Sequence, residues 1–430
     1  MHTNPTSYRD LKAEQLFFVD SIHTTVEDDK TTVDLLSTQP IENNIYGRSL
    51  ELTRQQLQMT NHLGAIREGW FVYYIENENR PFRYGNLSLL ARDHFREFNE
   101  VQKRLLEKTI TPSDDLAFIP REFMDDSKVE VFSYHINCGH GNCSVILIQA
   151  ENKYEIWMVD CSVIDKRQWK SYQNNIDVCL NDIAAKLKIT DGKIHIDRFF
   201  LTHTHFDHYN GIEYLVDNHI IDDKTFCYMN LYYNMASPTY LRILKKLESA
   251  EVSFIEPISK NSNSNICFLH PECRLFRSKD TITSYVKPFR VVNNPINNSS
   301  VVIQIGFGGH RMVFPGDLEK RGFDKMTKEK YDGCSPFLSW TDYYVVSHHG
   351  SDNGHPVWKC RNTSKPFDTP LQCLDSSIKK AILMGRDGAY PQIYSKSVVS
   401  YWKNRGKLEY TEKAPHYLLL HWNSGLVSMV

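Results

Sequence analysis

The spacing of apolar side chains gives the chain two rhythms. In the first stretch, Leu50-Glu51-Leu52-Thr53-Arg54-Gln55-Gln56-Leu57-Gln58-Met59 sets its apolar residues among good helix formers and predicts a helix. Trp70-Phe71-Val72-Tyr73-Tyr74-Ile75 predicts a strand, Asn77-Glu78-Asn79-Arg80-Pro81 a turn, and Phe82-Arg83-Tyr84 a return strand. Leu89 to Leu106 again shows helical spacing, with charges between the apolar positions. Thr111-Pro112-Ser113-Asp114-Asp115 and Ile119-Pro120 then punctuate the chain. Residues 1–125 therefore read as a separate, mostly helical module, and 126–430 as a second domain.

The second stretch alternates differently. Val129–Ile136, Ser144–Gln149 and Ile156–Asp160 are β-type runs, and a helix over Asn174–Leu187 precedes the apolar strand Ile196–Leu201. Helices at Gly211–Val216 and Pro238–Leu247 flank a strand at Phe226–Leu231. Further β runs follow at Val301–Gly306, Arg311–Phe314 and Tyr343–Ser347. Clusters of strands with helices between them predict an α/β (α+β) architecture of two packed sheets covered by helices.

Composition narrows the partners rather than the fold. The 430 residues are 41% hydrophobic and 24% charged, ordinary for a chain with a real core. A formal net charge of −2 excludes a general nucleic-acid binder held by bulk charge, so any such substrate needs a local patch. No run approaches the ~18 apolar residues of a membrane helix, and no charged-then-apolar leader opens the sequence. Ten irregularly spaced cysteines fit reduced thiols. The expectation is a cytoplasmic protein without a membrane partner.

The chemistry concentrates in Thr202-His203-Thr204-His205-Phe206-Asp207-His208, directly after the Ile196–Leu201 strand. Side chains alternate along extended backbone, so His203 and His205 point the same way and can share one cation. After the chain turns, Asp207 and His208 can face a second. Nitrogen and oxygen donors at this density suit Zn2+, one or two per chain, or Mn2+ or Fe2+, rather than calcium. Unpaired burial of such groups is costly, which argues against a purely structural role. Three more β runs end in suitable groups: Asp160 after Val159, Gly316-Asp317 after Pro315, and His348-His349-Gly350 after Ser347.

This ordered set resembles the metallo-β-lactamase superfamily. Within it, the set is similar to the hydrolase domain of ComEC-type competence proteins, through Asn297-Asn298-Ser299-Ser300-Val301-Val302 and His348-His349-Gly350-Ser351. The resemblance spans roughly residues 130–430 and says nothing of the first ~125. It implies an αββα sandwich with metals at one edge. His203 and His205 would hold the first metal, Asp207 and His208 the second, and Asp317 would bridge. His349 would complete the second site, with His348 beside it as ligand, phosphate contact or proton donor. Asp160 and Asn298 would support the site from behind the ligands. Many members have a further histidine where this chain has Asn297, Asn298 and Ser299, and His270 and His310 lie elsewhere in the pattern. The first site is accordingly expected to be weaker, wetter, or filled only with substrate.

Such a site implies hydrolysis by a metal-bound hydroxide, with Asp207 and His348 as the catalytic residues beside the ligands. No base is placed to activate Ser347 or Cys161 as a nucleophile. The leading expectation is a phosphodiesterase or nuclease acting on nucleic acid or a nucleotide. The runner-up is an amide- or peptide-bond hydrolase gated by a protein partner through the N-terminal module. The third is a degenerate metal-binding module. Cys138-Gly139-His140-Gly141-Asn142-Cys143 reads as cleft lining rather than half a zinc site. His355, His416 and His421 read as satisfied structural histidines, and Arg361, Lys365, Arg386 and Lys403 as scattered surface charge. Tyr228, Tyr232, Tyr233 and Tyr240 read as packing groups.

Overall fold

The computed structural model describes residues 15–24, 30–39, 46–59, 64–75, 77–110, 123, 125–190, 194–232, 235–258, 261–270, 296–319, 322–323, 341–355, 377–390 and 393–430. The expected boundary segment 111–120, and Tyr233, Arg361 and Lys365, lie outside these residues.

The N-terminal stretch is not mostly helical. Its described residues form an antiparallel sheet of β1 (Leu16–Thr24), β2 (Lys30–Ser37), β3 (Gly47–Thr53), β4 (Phe71–Tyr74) and β5 (Phe82–Tyr84), in the order β3-β2-β1-β4-β5. The expected helix over 50–59 is instead the end of β3 and a turn. Leu50 and Leu52 share one strand face and are both buried, and β3 pairs with β2 over seven residues, from Gly47↔Leu36 to Thr53↔Lys30. That ladder and burial outweigh the local helix preference of Glu51, Arg54 and Gln55. Helix α1 (Leu89–Glu107) is where the apolar spacing places it, with Ser88 Oγ capping it by accepting from Ala91 N–H. A short strand β6 (Thr109–Ile110) follows.

The remaining residues form two sheets. After β7 (Val129–Ile136), β8 (Cys143–Ala150) and β9 (Lys153–Cys161) come a small hairpin of β10 (Ile164–Asp165) and β11 (Lys170–Ser171), then helix α2 (Gln173–Leu187). Next are β12 (Arg198–Phe200), α3 (Phe206–Tyr209), α4 (Ile212–Asp217), β13 (Phe226–Tyr228), α5 (Pro238–Ser249) and β14 (Ser253–Ile255). The second sheet draws on β15 (Ile266–His270), β16 (Val302–Phe307), β17 (His310–Phe314), β18 (Tyr343–Val345), β19 (Lys380–Leu383) and, after α6 (Lys396–Lys403), β20 (Leu408–Tyr410). The chain closes with β21 (Tyr417–His421) and β22 (Leu426–Met429). The strand orders are β22-β21-β7-β8-β9-β12-β13-β14-β6 and β15-β16-β17-β18-β19-β20.

One core lies between these sheets. Val131, Ile146, Ile148, Trp157, Val159 and Phe200 meet Phe268, Ile303, Ile305, Met312, Val345 and Ile382 there. The other face of the larger sheet is covered by α2 and α5 through Ile176, Ile183, Ile243 and Leu244. The other face of the smaller sheet is covered by α6 through Val398 and Trp402. Helix, sheet, sheet and helix are thus stacked in the expected αββα order. β9, β12, β13, β14 and β6 run parallel, as do β17, β18, β19 and β20. Carboxyl ends of parallel strands are where α/β sheets leave room for ligands. None of the described helices is long and apolar enough to cross a membrane.

Candidate metal centre

The carboxyl end of β12 runs into Leu201–His205, and His205 is the extended residue that precedes α3 (φ −87°, ψ 148°). His203 and His205 therefore stay adjacent, with His203 Nε2 and His205 Nδ1 3.2 Å apart. The single helical turn of α3 then swings Asp207 and His208 to the other side of the cleft. Gly316 after β17 delivers Asp317, and the turn after β18 delivers His348 and His349.

Three groups of potential ligand atoms result, each lying within 4.8 Å of one another. They are His203, His205 and Asp317; His208, Asp317 and His349; and His140, Asp207 and His349. Asp317 belongs to two groups, as a bridging carboxylate must. Its Oδ1 is 3.3 Å from His208 Nε2, and its Oδ2 is 3.8 Å from His203 Nε2 and 3.7 Å from His349 Nε2. His349 Nε2 is also 3.4 Å from Asp207 Oδ2. His348 enters none of these groups. Its Nε2 lies 3.9 Å from Asp317 Oδ2 and 3.3 Å from Asn297 Nδ2.

The donors fit a cation. His208 Nε2, His349 Nε2 and Asp317 Oδ1 are buried and make no hydrogen bond. Native proteins rarely leave such atoms unsatisfied. Burial pushes His203 well below the usual imidazole range and, with Lys166 nearby, takes His205 down to about 3. Both rings are then neutral and can offer a lone pair. Burial opposes ionisation of Asp207, but Lys166, His140 and His349 outweigh it and hold the carboxyl well below its usual range. The histidines around Asp317 do the same for that carboxylate against its burial.

The candidate ligand side chains are held from behind. Asp160 Oδ1 accepts from Thr202 N–H at 2.8 Å, and its Oδ2 accepts from Thr202 Oγ1 and His208 Nδ1, both at 2.8 Å. Asp160 thereby orients His208 with Nε2 toward Asp317. His349 Nδ1 donates to the Met384 carbonyl at 3.3 Å, which leaves Nε2 for the cleft. Asn298 Nδ2 donates to Glu319 Oε2 at 3.0 Å, and Asn298 Oδ1 accepts from Gly322 N–H at 2.9 Å. His270 Nε2 contacts the Asn298 carbonyl, and neither His270 nor His310 joins a ligand group among the described residues. Asp160, His348 and His349 all have left-handed backbone, at φ 54°, 49° and 49°. Such conformations cost energy and persist where surrounding structure enforces them, commonly at functional sites.

Three participants escape the sequence. His140 Nε2 is 3.2 Å from Asp207 Oδ2, so the glycine-flanked loop contributes a possible ligand rather than only cleft lining. Its imidazole was visible in a loop between two glycines. Lys166 Nζ is 2.9 Å from Asp207 Oδ1, yet no motif surrounds it. Glu319, two residues beyond Asp317, gathers Asn297, Asn298 and Asn353 at 3.2, 3.0 and 3.0 Å.

The blander expectations hold in part: Tyr232 is 37% exposed rather than packed, and His421 Nε2 makes no hydrogen bond. Cys138 and Cys143 are free thiols. Ser347 Oγ is committed to the Gly316 and Leu318 carbonyls. His416 bonds Asn175, His421 stacks on Phe132, and His355 packs on Tyr401. Arg386 departs from the expectation of scattered surface charge, since it pairs at 3.1 Å with the fully buried Asp165. Tyr228 stacks on Phe200, and Tyr240 is fully buried.

No protein-family model matches the chain. No curated protein matches it. Among solved structures it is similar to the metallo-β-lactamase fold protein YhfI from Bacillus subtilis, with 13% identity and a TM-score of 0.26, covering 50% of this chain and 71% of that one. It is also similar to a diphosphatase from the PhnP family, with 12% identity and a TM-score of 0.32, covering 70% of this chain and 100% of that one.

Proposed function

We propose that the protein is a metal-dependent hydrolase that cleaves phosphodiester bonds in nucleic acid or nucleotides. The observation that carries the reading is the convergence of His203, His205, Asp207, His208, Asp317 and His349, with buried nitrogen and oxygen atoms left without hydrogen bonds. Zinc is the leading metal, with manganese and iron suited to the same donors. When bound, such a cation pair supplies Lewis acidity and a water acidic enough to ionise near neutral pH.

The chain's own residues do the rest. His203 and His205 would serve the first cation with Asp317, and Asp207, His208 and His349 the second. His140 is a further donor toward the second. Asp160 and Thr202 keep His208 from rotating, and the Met384 carbonyl does so for His349. His348 is the proton donor in this reading: it stands outside the ligand groups and is more exposed than His349, at 8% against 2%. Asn297 Nδ2, 3.2 Å from Glu319 Oε1 and 3.3 Å from His348 Nε2, fixes that ring beside the cleft. No covalent protein nucleophile is required, which accords with the committed Ser347 hydroxyl.

The motif resemblance favours phosphodiesters over amides, and the test separates them. Protein purified with one to two equivalents of zinc or manganese should release p-nitrophenol from bis(p-nitrophenyl) phosphate. Asp207→Ala should abolish that release, and His348→Ala should lower it by at least about tenfold at unchanged metal content. Survival of this ester, DNA, RNA and cyclic nucleotides, together with cleavage of a protein, would transfer the reading to a peptidase. An absence of bound metal under all conditions would leave a binding module.

A further inference from the structure

Lys166, in the turn between β10 and β11, is 3% exposed and has no solvent to carry its charge. Its Nζ lies 2.9 Å from Asp207 Oδ1, 3.7 Å from Asp20 Oδ2 and 3.8 Å from Asp34 Oδ2. Asp20 belongs to β1 and Asp34 to β2, so two of its three carboxylate partners come from the N-terminal sheet. Each of these carboxylates is no more than 3% exposed.

The sheet is shaped for this contact. The β1–β2 register slips between Val19 and Ser21, so Asp20 is the extra residue of a bulge. Bulges re-aim side chains and are frequent beside active sites. Asp34 is fixed by three hydroxyls: Ser21 Oγ, Ser49 Oγ and Tyr390 OH each donate to it at 2.6 Å. Ser49 also contacts the Lys166 carbonyl at 3.1 Å. Gly47 of β3 lies so close to Trp169 that a Cβ there would meet the indole at 1.9 Å. The hairpin carrying Lys166 is thus clamped to β1, β2 and β3.

Packing does not ask for this arrangement. A buried ion cluster is often no more stable than apolar groups of the same volume. What it does achieve is geometry. With Oδ1 of Asp207 taken by Lys166, Oδ2 faces His140 and His349 at 3.2 and 3.4 Å. Asp34 also offsets an ammonium charge that would otherwise repel a cation at Asp207, and Asp20, whose carboxyl burial pushes up to about 7, does so in part.

We propose that the N-terminal sheet is a working part of the metal centre: Asp20 and Asp34 hold Lys166 against Asp207, and so set the affinity of the cation that Asp207 binds. Lys166, Asp20 and Asp34 are positioning residues. The inference deepens the hydrolase reading and rests on Asp207 being a ligand there. By reciprocity, a cation at Asp207 must in turn stabilise the seating of β1 and β2.

The test uses the full chain and zinc. Zinc affinity is measured by competition with a chromophoric chelator, and the Asp207 site is defined as the affinity lost in Asp207→Ala. Asp34→Asn and Lys166→Met should each weaken that site by at least about tenfold, the usual effect of removing a group that orients a ligand. Zinc bound elsewhere should be unaffected. Tyr390→Phe, which removes one hydrogen bond from Asp34 and no charge, should weaken it less. If the Asp34 and Lys166 variants prove unfolded, hydrogen exchange on the wild-type chain decides the matter. Amides of β1 and β2 should exchange more slowly with zinc, and Asp207→Ala should remove the effect. Folded variants with wild-type affinity, or exchange in β1 and β2 indifferent to bound zinc, would overturn the inference and leave the hydrolase reading standing. A wild-type chain whose zinc binding survives Asp207→Ala unchanged would overturn both.

Discussion

His135 shows what this chain does with a buried histidine that serves no metal. It lies on β7, fully buried, with Ser133 Oγ 3.0 Å from Nε2 and Ser144 Oγ 2.9 Å from Nδ1. Burial alone pushes it down to about 3, from an ordinary value of 6.5. The sign follows from proton counting. Between those values the unfolded chain binds a proton at this ring and the folded chain does not, so folding is favoured as pH rises. The stability His135 contributes is present above pH 6.5 and is lost as pH falls toward 3. Its limiting slope is about 1.4 kcal/mol per pH unit. Other buried imidazoles add to the acid sensitivity of the wild type, so the difference between two chains is the quantity to measure. His135→Gln should flatten the pH dependence of the denaturation free energy by up to that slope between pH 6 and 4. Parallel profiles for the two chains would place the proton elsewhere. The contrast with His203 and His205 is instructive: their rings are also neutralised by burial, but they face a carboxylate and one another rather than two hydroxyls.

At the scale of elements, strand ends matter more than strands. Gly316 follows β17 at φ 56°, and a Cβ there would meet Thr202 Cβ and Oγ1 at 2.7 Å. Thr202 in turn carries the hydrogen bonds that fix Asp160. Gly316→Ala must therefore bear left-handed strain and push the segment that holds His203. A loss of roughly 1–3 kcal/mol of stability is expected, together with weaker zinc binding. Denaturant midpoints with and without zinc check both, and wild-type values would show that the turn relaxes freely. These strand-end candidate ligands were legible because their neighbours are strongly patterned. Val129–Ile136, Ile156–Asp160 and Tyr343–Ser347 are β-type runs in the sequence, and they fall on β7, β9 and β18. Of the N-terminal sheet only β4 and β5 were legible, as Trp70–Ile75 and its return Phe82–Tyr84. Leu50 to Met59 holds good helix formers, and its strand character comes from a ladder with β2, which no local window contains. His140 and Lys166 were missed for the same reason, since both meet Asp207 across long sequence separations. Most of the proposed ligands, and Asp160 behind them, were written as a motif, while His140, Lys166 and Glu319 reach the site only through the tertiary fold.

At the scale of the molecule, the two sides of residue 125 share a core. Leu16, Phe18, Leu36 and Phe71 of the N-terminal sheet belong to the same buried cluster as Ile176, Leu244 and Phe254 beneath the larger sheet. Helix α1 packs on α5, with Phe98 and Tyr240 rings 6.3 Å apart and Arg104 forked onto Glu248 at 2.8 and 2.9 Å. Gln102 Nε2 donates to the Leu231 carbonyl, and β6 covers the edge of β14. Removing residues 1–125 would uncover these apolar side chains and leave β14 as an open edge, which is a template for aggregation. It would also leave Lys166 and Asp207 without Asp20 and Asp34. The fragment 126–430 should therefore be insoluble or aggregated on sizing, or bind the apolar dye ANS strongly, and should fail to regain the zinc affinity of the full chain. Adding residues 1–125 in trans should restore solubility only if the sheet refolds against α2 and α5. A monomeric fragment with a sharp unfolding transition and undiminished zinc binding would show that the shared core is dispensable. The sheet would then be a docked accessory rather than one wall of the site.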